Sequence, residues 1–131
     1  MKCNQLITPC ILALLWVCSL TTNLKADTKR IVLIAGPPSH GVLQHEHKAG
    51  CMLIERCLQG VSGVEVDVYT GGWPEAPNAL EGADAVVVFC TGGGSHLAIQ
   101  EGRLAQLRKV MSDGAGFGCL HYGVEVPKDK G

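Results

Sequence analysis

Ile31-Val32-Leu33-Ile34-Ala35 is an unbroken apolar run between Arg30 and Gly36, and Ala85-Val86-Val87-Val88-Phe89-Cys90 repeats the pattern ahead of Thr91-Gly92-Gly93-Gly94. Branched residues without polar alternation suit strands buried on both faces, and such strands belong to parallel sheets covered by helices on either side. Between these runs the pattern predicts a helix from about Gln44 to Gln59, with Ala49, Met52, Leu53 and Cys57 as its inward stripe and Gly60 as its stop. A second strand is predicted from Val64 to Tyr69, broken by Gly71-Gly72-Trp73-Pro74. Gly102 to Ser112 reads as a second helix with Leu104, Leu107 and Met111 inward, and Gly116 to Leu120 as a fourth strand. Strands alternating with helices imply an α/β fold with parallel βαβ units and right-handed crossovers.

Composition agrees with a folded domain. The chain has 131 residues, 47% apolar and 18% charged, and its 17 glycines show no repeat, which excludes disordered and collagen-like sequence. A formal charge of −1 gives no basic surface for nucleic acid or an anionic membrane.

The start has a character of its own. Lys2, the apolar run Leu6 to Leu20 and the exit Asn23-Leu24-Lys25-Ala26 describe a secretory signal peptide over residues 1–26, with cleavage after Ala26. A membrane anchor is the competing reading, but Pro9 interrupts the run and a span needs roughly 20 apolar residues. The expectation is an exported chain, periplasmic or extracellular, with residues 27–131 as its single domain.

Export permits disulfides, but of seven cysteines Cys3, Cys10 and Cys18 fall within the leader. Cys51 and Cys57 on one helix would be separated by about 9 Å of rise, too far to bridge. Cys90 and Cys119, on two apolar strands, read as small buried hydrophobes.

All five histidines fall just past a predicted strand or near the next helix start: His40, His45 and His47 after the first strand, His96 after the third, His121 after the fourth. In open parallel sheets, ligands bind beyond the carboxyl ends of the strands. Thr91-Gly92-Gly93-Gly94-Ser95-His96 sits where a phosphate loop would, but it lacks both the GxGxxG and the Gly-Lys-Ser/Thr signatures. Its glycines instead suggest close backbone approach to a ligand or a neighbouring loop. A sharp strand-to-helix elbow needs small residues two before and two after its exposed side chain. Cys119 and Gly123 satisfy this around His121, whereas Phe117 and His121 do not satisfy it around Cys119. His121 therefore takes the elbow, which argues against a cysteine nucleophile.

These motifs resemble those of the ThuA-like (trehalose-utilisation) family. The similarity rests on Lys29 to Gly36, Ser39-His40-Gly41, His45-Glu46-His47, Gly71-Gly72-Trp73-Pro74, Ala83 to Val87, Gly92 to His96 and Cys119-Leu120-His121-Tyr122. It spans roughly residues 29 to 127, comparable to the N-terminal half of a family domain. The resemblance implies a flavodoxin-like three-layer sandwich of the class I glutamine amidotransferase-like superfamily, of which about four strands are present. Because the elbow matches His121 where amidotransferases carry cysteine, amidotransferase chemistry is not implied.

Two functions follow from this reading. In the first, the chain is a carbohydrate-processing enzyme, a hydrolase or lyase acting on trehalose or keto-sugars. His121, His40 and Glu46 would then be catalytic, and Trp73, Gly93, Gly94, His96 and Tyr122 would bind substrate. In the second, it is a non-catalytic sugar-binding or scaffold module of a larger secreted protein. His40, His45, His47, His96 and His121 are also candidate ligands for a divalent metal such as zinc, with His40, His96 and His121 expected in one pocket. The competing reading is that they hydrogen-bond a sugar without metal. A Trp between glycine and proline, as Trp73 is between Gly72 and Pro74, is more often a loop anchor than a sugar-stacking residue. The expected partner is a small-molecule sugar.

Overall fold

A computed structural model describes residues 27–100 and 102–130. The expected leader, residues 1–26, lies outside the described residues. Four strands, β1 (Lys29–Ala35), β2 (Val64–Thr70), β3 (Ala85–Phe89) and β4 (Gly116–Leu120), form one sheet in the order β2-β1-β3-β4. Every pairing is parallel. The order is that of the first four strands of a flavodoxin-like 2-1-3-4-5 sheet, so the α/β class expected from the apolar runs is the one found. Two α-helices, α1 (His47–Leu58) and α2 (Arg103–Ser112), complete the layers. Among the described residues no helix is long and apolar enough to cross a membrane.

The pleat explains why the helices lie on opposite faces. Val32 and Ile34 of β1 and Val86 and Val88 of β3 pack with Leu107 and Val110 of α2. The alternate residues Leu33, Ala35, Val87 and Phe89 pack with Cys51 and Ile54 of α1. The sheet grows one way from β1 to β2 and the other way from β1 through β3 to β4, so crossovers of one hand must put their helices on opposite sides.

The inward stripe of α1 differs from the predicted one. His47 and Cys51 are buried, whereas Met52 and Leu53 are 48% and 62% exposed. The reason is the bulk of Phe89: a Cβ on Gly50 would overlap its ring, so the helix turns its small residues to the sheet and approaches closely. In α2, Leu107 is inward as predicted, but its buried companion is Val110, and Met111 is 47% exposed. Cys51, Cys57, Cys90 and Cys119 are all free thiols, in line with the absence of a disulfide framework among the described residues.

At the amino end of the sheet, Arg30 holds the fold together. Its guanidinium donates to Asp67 Oδ2 at 2.8 Å and to the carbonyls of Glu81 at 2.7 Å and Ala79 at 2.9 Å. Those bonds leave the opposite end, where the strands run out at Ala35, Phe89 and Leu120, to carry the imidazoles.

Candidate functional site

The segment after β1 turns sharply twice. His40 and Leu43 both adopt φ of +67°, a conformation rare for side chains with a Cβ. An antiparallel bridge between Ser39 and His45 closes the turn, with Ser39 Oγ 3.1 Å from His45 Nδ1. Glu46 accepts the Leu43 backbone N–H at 2.8 Å, so one of its oxygens is engaged in holding the loop. The loop folds back across the strand ends and brings His40 and His45 together, their ring centroids 4.1 Å apart.

The elbow after β4 supplies the other half. His121 has φ of +54° and opens a 3-10 turn, His121–Val124. Gly123 is small for a reason: a Cβ there would stand 3.2 Å from the Val88 carbonyl oxygen. The elbow aims His121 at the loop, with its ring centroid 5.4 Å from that of His45, and Tyr122 lies 5.9 Å from the same ring. His47, at the start of α1, stands 6.0 Å from His45 and edge-on to Phe89 at 5.0 Å. Three of the other four histidines, His40, His47 and His121, thus gather around His45 beyond the carboxyl ends of β1, β3 and β4.

Two clefts flank this cluster. The first, about 410 Å³, is lined by Ser39, His40, His45, Glu46, His47 and Thr70 among others. The second, about 380 Å³, lies between His40 and His45 on one side and Thr91, Gly93, Tyr122 and Glu125 on the other. Partial burial, and then His40, His121 and His47 in that order, hold the His45 imidazole below the ordinary histidine value. The shift favours its neutral form, able to donate at one nitrogen and accept at the other.

His96 does not belong to the cluster. It is buried, its Nε2–H donates to the Gly123 carbonyl at 2.7 Å, and its Nδ1 accepts the Ala98 N–H at 3.0 Å. With both nitrogens committed it has no capacity for metal or substrate, and the expected grouping of His40, His96 and His121 in one pocket is corrected. Among the described residues no three His, Cys, Asp or Glu side chains are arranged to hold a metal ion, so the expected zinc site finds no ligand set.

Trp73 is also placed elsewhere. It packs against the core on the α2 face, donates from Nε1 to Gln106 Oε1 at 2.7 Å and lies beneath the Arg103 guanidinium at 5.5 Å. It lines neither cleft and serves as the loop anchor. Gly94 is exposed and outside both clefts, whereas Gly93 lines the second. Gly92 is there for packing, since a Cβ would collide with the Tyr122 carbonyl oxygen. Cys119 faces away from the cluster, 3.8 Å from His96 Nε2, and burial pushes its thiol above the usual value. Because that nitrogen gives its hydrogen to Gly123, it cannot deprotonate the thiol.

Glu125 and Thr91 enter the second cleft without having been singled out in the sequence. Glu125 sits four residues past the elbow histidine, a spacing that could have marked it. No family model matches the chain, and no curated protein or solved structure matches it either.

Proposed function

We propose that the chain is an exported ThuA-like protein of carbohydrate utilisation, with the paired clefts around His45 as its sugar site and a hydrolytic or lytic step on trehalose or a keto-sugar as its chemistry. The observation that carries this reading is the convergence of His40, His45, His47 and His121 with Tyr122 at the carboxyl ends of the strands. Imidazole is the side chain suited to proton exchange near neutral pH, and its two nitrogens can hydrogen-bond hydroxyl groups in either direction. In this reading His121 and His40, exposed on either side of His45, move the proton, and Glu46 and Gly93 frame the two clefts.

A specific observation favours the second reading, a sugar-binding module without turnover. Glu46 is engaged with Leu43 and His96 with Gly123, so part of the expected catalytic set already has structural work. The full chain incubated with trehalose and with its keto derivative, followed by proton NMR, separates the two. New sugar signals support the enzyme. Shifted protein signals with unchanged sugar support the binding module, and no effect of either sugar rejects both.

A further inference from the structure

Among the described residues, His47 Nε2 is the one buried side-chain nitrogen or oxygen with no hydrogen-bond partner. The ring is 1% exposed, and its other nitrogen, Nδ1, lies 3.0 Å from the Pro37 carbonyl oxygen. A carbonyl only accepts, so Nδ1 carries a hydrogen, and the tautomer this bond selects has a bare lone pair at Nε2. An unmet buried acceptor opposes folding, and natural interiors seldom keep one without a use for it. A phenyl ring in the same space, edge-on to Phe89 at 5.0 Å, would remove the unmet acceptor at the loss of the Nδ1–Pro37 bond. His47 also lines the first cleft, beside His45, whose own Nδ1 is turned to Ser39.

We infer that His47 Nε2 is the fixed acceptor for a hydroxyl hydrogen of the ligand bound in the first cleft. The inference rests on the carbohydrate reading and adds a residue with a defined part in it. The Pro37 carbonyl sets the tautomer before the ligand arrives, so the imidazole itself need not turn or exchange its hydrogen on binding. Nε2 is closed off from solvent, so the hydroxyl reaches it with a local shift of the cleft wall. A ligand that offers only acceptors gains nothing from this nitrogen, so the site selects hydroxyl-bearing molecules.

The test uses the full chain and two variants, with trehalose and glucose as the probes. His47→Phe keeps a ring and removes both nitrogens, whereas His47→Gln returns a polar group near the Nε2 position and not near Nδ1. The expected result is that the affinity of folded His47→Phe for the sugar falls about tenfold, the weight of one hydrogen bond. His47→Gln is expected to regain part of that affinity. Wild-type affinity in His47→Phe overturns the inference and leaves the carbohydrate reading standing. Affinity in His47→Gln no better than in His47→Phe also overturns it, because the loss then comes from Nδ1 and its Pro37 bond rather than from Nε2. Wild-type protein that binds neither sugar overturns the carbohydrate reading, and the inference falls with it.

Discussion

His96 and Gly123 are joined across 27 residues of chain by a 2.7 Å hydrogen bond from the imidazole Nε2–H to the glycine carbonyl, in a buried setting. The bond ties the turn after β3 to the elbow after β4, and so holds His121 and Tyr122 where the β1 loop can meet them. The histidine that looked available for chemistry is thus a strut for those that are.

Replacing that strut has a definite cost. His96→Leu leaves the Gly123 carbonyl and the Ala98 N–H without partners, and it is expected to lower stability by about 2–3 kcal/mol. Urea unfolding of the variant beside wild type measures it. An unchanged midpoint would mean that the elbow holds its position without His96.

Gly92 is expected to be intolerant for a different reason. A Cβ there meets the backbone oxygen of Tyr122 and the Glu125 side chain, and neither can simply rotate away. Gly92→Ala should cost about 2–3 kcal/mol and displace the elbow. Gly94→Ala, with open space around its Cβ position, is the control and should fold like wild type. Equal stabilities for the two variants would contradict this account.

Acidification should act through His45. Its imidazole is held below the ordinary value by burial and then by its three histidine neighbours, so the unfolded chain takes up this proton first as the pH falls below about 6.5. The contribution to stability is complete above that pH and is lost as the pH drops through the depressed folded value. Wild type should therefore lose more stability than His45→Gln between about pH 7.5 and about pH 5. Parallel stability curves for the two proteins would remove His45 from the explanation.

The carboxylate of Glu46 should be felt in the loop. Glu46→Ala deprives the Leu43 N–H of its acceptor, and exchange of that amide with solvent is expected to accelerate about tenfold. Glu46→Gln keeps an oxygen in place and should exchange nearly as slowly as wild type. Identical exchange in all three proteins would show that the turn is held by Ser39 and His45 alone.

The two apolar runs, Ile31–Ala35 and Ala85–Phe89, announce the sheet because a strand buried on both faces must be apolar at every position, a property of adjacent residues. The elbow was legible too: small residues around His121 are a local requirement, and its φ of +54° answers to them. The inward face of α1 was not legible, since Phe89, nearly forty residues away, selects Gly50 and Cys51 over Met52 and Leu53. Nor was the sorting of the histidines. All five share one end of the sheet in sequence, but an imidazole is free or committed according to which backbone groups approach it. For His96 those are Gly123 and Ala98, and for His47 Pro37 on one side and nothing on the other. Such partners meet only once the strands have paired and the loops have closed over them, because a hydrogen bond depends on distance and direction in space rather than on order along the chain.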